Sequence, residues 1–250
     1  MIMNLEQYLD EIIKFLQSEV KKANAKGLIV GLSGGVDSAV VALLIKKAFP
    51  NNHLALIMPC FSPDIDLEYA NNLVNIHKLN AKVVNLNNVF LSFKKTLETE
   101  INIEKLKLIL GNLKARLRMN TLYAYAQNHN YLVVGTDNSD EWHIGYFTKY
   151  GDGGVDLLPI IHLLKKDVFA AAKILKVSEE IIIRKPTAGL WDGQTDEMEM
   201  QFKYEQLDQY LLGNKSLIPS SVINKIEFMH QNSAHKRIPV PQAPKWTRKK

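Results

Sequence analysis

Residues Gly27–Leu44 read GLIVGLSGGVDSAVVALL. A short β-forming run, Leu28–Gly31, meets the glycine pair Gly34–Gly35, and a helix-forming run follows from Ala39 to Leu44. Strand, glycines and helix in that order build a nest of backbone N–H groups for an anion. The Gly-Lys-Ser/Thr ending of a P-loop is missing, however, and Val36-Asp37-Ser38 stands in its place. A carboxylate beside a phosphate repels it unless a divalent cation lies between them. Carboxylate, magnesium and phosphate oxygen then alternate in charge, which gives Asp37 a reason to be there beyond capping a helix.

Outward from this stretch the chain alternates in character. Leu5, Tyr8, Leu9, Ile12, Ile13, Leu16 and Val20 recur at helical spacing ahead of it. After the helix expected at Ser38–Phe49 come a strand in HLALIMP (53–59), a helix over Leu67–Leu79 and a strand in AKVVNL (81–86). A long helix over Leu106–His129 leads to a strand in YLVVGT (131–136). Short strands that are apolar on both faces, separated by helices, predict an α/β protein with a parallel sheet flanked by helices. Beyond Gly135 the pattern predicts helices at Leu164–Leu175 and Phe202–Leu212, a mobile loop over Thr187–Met200, and an extended basic tail from about 234 to 250. No repeat or linker is visible, so a single domain over 1–250 is expected.

Composition narrows the class. The 250 residues are 46% hydrophobic and 23% charged, ordinary values for a globular protein. No apolar run reaches the roughly 18 residues of a membrane span, and the N-terminus carries acids where a signal peptide carries a basic start. Cys60 is the only cysteine, which excludes an intrachain disulfide and a multi-thiolate zinc site. These features fit a cytoplasmic enzyme with no membrane partner. The net charge of +5 favours anionic ligands. Much of it lies in the tail, so nucleic acid is not expected as a partner.

Ser33-Gly34-Gly35-Val36-Asp37-Ser38 after a buried strand resembles the pyrophosphate loop of the ATP pyrophosphatases, which split ATP into AMP and pyrophosphate. Within that group VVGTDNSDEWHIGYFTKYGDGGVDLLPI (133–160), GNLKARLRMNTLYAYA (111–126) and RKPTAGLWDGQTDE (184–197) resemble the NAD synthetases, in the right order along the chain. The resemblance implies an adenine-nucleotide alpha hydrolase-like (Rossmann-like) fold. It also implies amidation of deamido-NAD with ATP and ammonia through an adenylate, magnesium as the metal, and a homodimer with dinucleotide contacts crossing the interface.

The same resemblance implies residue roles. Gly31, Leu32, Ser33, Gly34, Gly35, Val36, Asp37, Ser38 and Thr136 would hold ATP, with Lys165 and Thr187 near its phosphates as the catalytic pair. Asp37 and Glu141 would bind magnesium. Arg116, Lys149, Asp156, His235 and Lys236 would bind deamido-NAD. Each has a plainer reading: Glu141 as a helix cap, Lys165–Lys166 as a surface pair, Arg116 and Arg118 as a solvated helix face. One departure stands out. Ile57-Met58-Pro59 replaces the Arg-Leu-Pro common in the family, whose arginine helps to hold ATP. The length leaves no room for a fused glutaminase, and no cysteine near the N-terminus offers its nucleophile, so free ammonia is the expected nitrogen donor. The rival reading, a tRNA-modifying ATP pyrophosphatase, lacks the reactive cysteines that thiolation needs.

Overall fold

The computed structural model describes residues 3–97, 105–187, 189–191 and 193–247. Helix α1 (Leu5–Lys22) precedes strand β1 (Gly27–Gly31), α2 (Val36–Ala48), β2 (His53–Ile57), α3 (Asp64–His77), β3 (Ala81–Val83), α4 (Asn87–Leu97), α5 (Leu106–His129) and β4 (Tyr131–Val134). Among the described residues six α-helices follow: α6 (Ser139–Ile144), α7 (Lys165–Ile174), α8 (Glu179–Ile183), α9 (Asp196–Met200), α10 (Tyr204–Leu211) and α11 (Ser220–Asn232).

The four strands form one parallel sheet in the order β3-β2-β1-β4, with Val30 level with Ala55 on one side and Val134 on the other. Leu28, Ile29 and Val30 are fully buried because helices cover both faces. Helix α2 shows why: it buries ten of its residues and has almost no polar side, the mark of a helix enclosed by other elements. With α1 and α7 it fills one face around Leu16, Leu44, Ile160 and Val168. Helices α4 and α5 close the other face through Phe90, Leu117, Leu122 and Ala126 against Ile29 and Leu56. A third apolar cluster, built on Ile144, Met200, Phe202, Tyr204, Leu207 and Ile226, joins α6 to α9–α11.

This order positions the site. The chain leaves β1 toward β2 on one side, while β4 lies on the other, so the connections diverge at the carboxyl ends of β1 and β4. Ligands of open α/β sheets bind at such a switch point. The Gly31–Ser38 loop and the start of α6 both open there.

Several expectations were refined. The helix expected from Leu67 starts at Asp64, behind Pro63. The third strand is only three residues, all exposed at the sheet edge. Part of the loop expected over Thr187–Met200 is helix α9, and residues 188 and 192 lie outside the described residues. Helices α4, α8 and α11 are not anticipated by the sequence pattern.

Candidate active site

The loop after β1 is braced by its own serines. Ser38 Oγ donates to the Gly35 carbonyl (2.9 Å) and accepts from the Ser33 backbone N–H (3.2 Å). Its one hydroxyl proton is then spent, so Ser33 Oγ donates to it across 3.0 Å. Both hydroxyls therefore shape the loop, and the backbone N–H groups of the first turn of α2 remain as its anion donors. Gly34 takes φ +83°, and a Cβ there would stand 2.5 Å from the Asp66 carbonyl oxygen. Only glycine fits both demands.

Asp37, in the first turn of α2, points across the switch point toward α6 and α7. Its Oδ1 accepts from Asn138 Nδ2 (2.8 Å) and its Oδ2 from Lys165 Nζ (2.6 Å). The same ammonium donates to Glu141 Oε1 (3.1 Å). Glu141 also does what its plainer reading requires. It forms a capping box with Asn138, donating its N–H to Asn138 Oδ1 (3.0 Å) and accepting the Asn138 N–H on Oε2 (3.4 Å). One carboxylate oxygen caps α6 and the other faces Lys165.

Lys165 is the correction to the surface-pair reading. Only 2% of it is exposed, and it is among the largest fully buried side chains. It opens α7, where its backbone N–H donates to Asp140 Oδ2 (2.8 Å). Tyr204 lies under the ammonium, ring centroid at 4.8 Å, and shares its hydroxyl proton between Asp196 Oδ2 (2.9 Å) and Glu141 Oε1 (3.2 Å). Asp196 also accepts from Tyr146 (3.2 Å). Burial alone would lower the lysine's pKa, but the Asp37 and Glu141 carboxylates outweigh it and raise it. Burial pushes Glu141 up to about 7, against the pull of Lys165, with Asp37 adding to the rise. The site thus holds a buried ammonium between two acids.

The other implied residues gather elsewhere. Arg116 donates to the Lys149 carbonyl (3.3 Å), Lys149 Nζ to the His235 carbonyl (2.6 Å), and Lys236 Nζ to the carbonyls of Gly145 (2.6 Å) and Phe147 (2.5 Å). Arg116 from α5, Lys149 from the segment after α6, and His235 and Lys236 from beyond α11 thus meet around residues 145–149. Asp156 is separate: its oxygens accept from Tyr123 Oη (3.0 Å) and the Val133 N–H (2.8 Å), fixing the path beside β4. Thr136 is half-buried just beyond β4, and Thr187 accepts the Gly189 N–H (3.1 Å) in a turn. Sequence reasoning missed Asn138, Asp196 and Tyr204. The Asn138–Glu141 spacing was a readable signal of a capping box, Asp196 sits inside the 184–197 stretch but was not singled out there, and nothing local marks Tyr204, which arrives from α10.

The NAD synthase family model matches residues 8–240. Over 235 residues the chain is 52% identical to the NH3-dependent NAD+ synthetase of Mesoplasma florum, covering 94% of this chain and 95% of that protein. Among solved structures, the NMN synthetase of Francisella tularensis superposes with a TM-score of 0.91 at 36% identity, covering 98% of this chain and all of that one. The NH3-dependent NAD synthetase of Campylobacter jejuni, solved with nitrate, does so with a TM-score of 0.80 at 31% identity, covering 97% of this chain and all of that one.

Proposed function

The chain belongs to the NAD synthase family, and we propose that it amidates the nicotinate carboxylate of deamido-NAD with ammonia, at the expense of ATP, to give NAD, AMP and pyrophosphate. It is a ligase that forms a carbon–nitrogen bond. The observation that carries the site assignment is the convergence of Asp37, Glu141 and Lys165 at the mouth of the Gly31–Ser38 loop.

A carboxylate resists ammonia because its carbon is electron-rich and oxide is a poor leaving group. One carboxylate oxygen attacks the α-phosphorus of ATP, the α–β bridge breaks, and pyrophosphate leaves. Ammonia then adds to the acyl-adenylate, AMP departs with the former carboxylate oxygen, and a proton is released. The amides at the start of α2 and the Lys165 ammonium offset charge growing on pyrophosphate. Arg116, Lys149, Asp156, His235 and Lys236 belong to the dinucleotide side, and Thr136 and Thr187 to the ATP side. Holding two polyanions in register supplies much of the remaining acceleration.

Magnesium fits this site. Asp37 and Glu141 already meet on one cation, both keep some exposure (17% and 14%), and magnesium takes one or two carboxylates plus phosphate oxygens and water. When bound, it neutralises phosphate charge and polarises phosphoryl oxygens. A homodimer is part of the reading, supported by Val89 and Phe93, one turn apart on α4, and by Leu108 of α5, all exposed. A cytoplasmic setting accords with a single, buried cysteine. Among the described residues no helix is long and apolar enough to cross a membrane.

A second reading concerns the acid. The likeness to an NMN synthetase favours nicotinate mononucleotide as an alternative acceptor of the adenylyl group. The test is one assay series with ATP, magnesium and ammonium. Faster turnover of deamido-NAD than of the mononucleotide supports the first reading, the reverse supports the second, and turnover of neither defeats both.

A further inference from the structure

Arg118 lies on α5 with its guanidinium at the carboxyl edge of the sheet. It is not the solvated side chain that its helix position suggests. It is half-buried, and its Nε donates to the Met58 carbonyl (3.2 Å) and its Nη2 to Ser62 Oγ (3.1 Å), both in the segment leaving β2. Both acceptors are neutral. Among the described residues it pairs with no carboxylate, and three of its five N–H groups have no acceptor. Asp152 and Asp66 act on it only at longer range. A shielded guanidinium keeps its charge, and holding that charge without a counter-ion costs free energy unless a ligand supplies one.

Its position says which ligand. A Cβ on Gly31 would meet the Met58 methyl at 3.2 Å and Leu122, one turn along α5 from Arg118, at 3.6 Å. The residue whose carbonyl Arg118 holds is therefore packed on the last residue of β1, where the anion loop begins. Asp66, which influences Arg118, packs its carbonyl on Gly34 of the same loop. Lys165, by contrast, reaches the loop from α7 through Asp37. Two cations thus approach the loop from the β2 side and from the α7 side.

We propose that Arg118 is a substrate-contacting residue whose unused N–H groups grip the α-phosphate oxygens of the adenine nucleotide, at the opposite end of the phosphate chain from Lys165. The inference rests on the nucleotide reading of this cleft and deepens it. Guanidinium and phosphate suit each other, since the planar fork offers two parallel donors to two oxygens. The contact holds the phosphorus that is attacked and remains with AMP after pyrophosphate leaves.

The test measures binding of ATP with magnesium, AMP and adenosine to wild type, Arg118→Gln, Arg118→Lys and Ser62→Ala by calorimetry, with thermal melts beside each. Arg118→Gln is expected to weaken AMP and ATP by about 10- to 100-fold and to leave adenosine unchanged, and Ser62→Ala to leave all three unchanged. Equal loss of all three ligands in Arg118→Gln, or the same AMP loss in Ser62→Ala, makes Arg118 only a clamp on the 58–62 turn and overturns the proposal. Should Arg118→Gln not fold, Arg118→Lys decides. It keeps the charge but not the fork, so AMP weakens by about fivefold with adenosine unaffected, and parallel losses overturn the proposal. Wild type that binds AMP while Arg118→Gln binds it equally well defeats this proposal alone, whereas wild type that binds no nucleotide defeats the wider reading as well.

Discussion

At the scale of single residues, Lys165 shows how far environment overrides composition. A lysine beside a second lysine is ordinarily solvated, yet this one is enclosed and stays charged because Asp37 and Glu141 meet it within 2.6 and 3.1 Å. Replacing it by methionine keeps the volume and leaves two acids facing each other. We expect Lys165→Met to lose stability by about 3 kcal/mol in urea unfolding and turnover by about 100- to 1000-fold in steady-state assays. Wild-type kcat in that variant would remove the lysine from the chemistry. His53 is a second enclosed group. Asn80 N–H donates to its Nε2 (3.1 Å), so its proton sits on Nδ1 and donates to the Phe49 carbonyl (2.9 Å). Burial, aided by the charge of Lys46 and opposed by the Phe49 and Pro50 carbonyls, holds its pKa below 6.5. The unfolded chain therefore takes up this proton at higher pH than the folded one does. Its stabilising share is full above pH 6.5 and falls as pH drops through the lower folded value. Urea midpoints at pH 7.5 and 5.5 check this: His53→Asn should show a smaller drop between them than wild type, and an equal drop would rule His53 out as a source.

At the scale of elements, legibility followed periodicity. Helix α5 runs from Leu106 to His129, as its pattern suggested, because 24 residues sample both of its faces many times. The βα unit from Gly27 to Ala48 was equally plain, its strand buried on both faces and its helix almost wholly apolar. Strand β3 was read too long because apolar Val83 and Val84 imply a covered strand. At the sheet edge Val83 instead remains 51% exposed. Helix α11 was missed because Ile226 is its one buried residue, too little for a readable stripe. The site divided in the same way. The convergence of Asp37 and Glu141 rests on residues that stand in contiguous motifs, and Asp196 lies in the 184–197 stretch, but Tyr204 comes from an element whose local sequence does not announce a destination. The short helix α6 links the two levels, since Asn138 caps it while holding Asp37. Asn138→Ala is expected to cost about 1–2 kcal/mol of stability and about tenfold in kcat/KM, measured by melts and initial rates. Loss of stability without loss of rate would confine Asn138 to capping.

At the scale of the whole molecule, the fold brings two groups of residues to one end of a small parallel sheet. The Gly31–Ser38 loop with Lys165 lies at the switch point, and the set Arg116, Lys149, His235 and Lys236 meets around the segment that follows α6. If the second group serves a partner's site, mixing inactive Lys165→Met with inactive Arg116→Ala protein should restore activity that neither has alone, because a mixed dimer carries one intact composite site. Mixtures that stay inactive would place each site within one chain. The chemistry turns on which phosphate bond breaks. In the proposed reaction the carboxylate oxygen of the acid attacks the α-phosphorus while Lys165 and the loop amides receive pyrophosphate. Deamido-NAD labelled with oxygen-18 in its nicotinate carboxylate tests this directly, by mass spectrometry of the products with ATP, magnesium and ammonium. AMP carrying one labelled oxygen and unlabelled pyrophosphate are the expected products; ADP with orthophosphate, or AMP without the label, would contradict attack at the α-phosphorus.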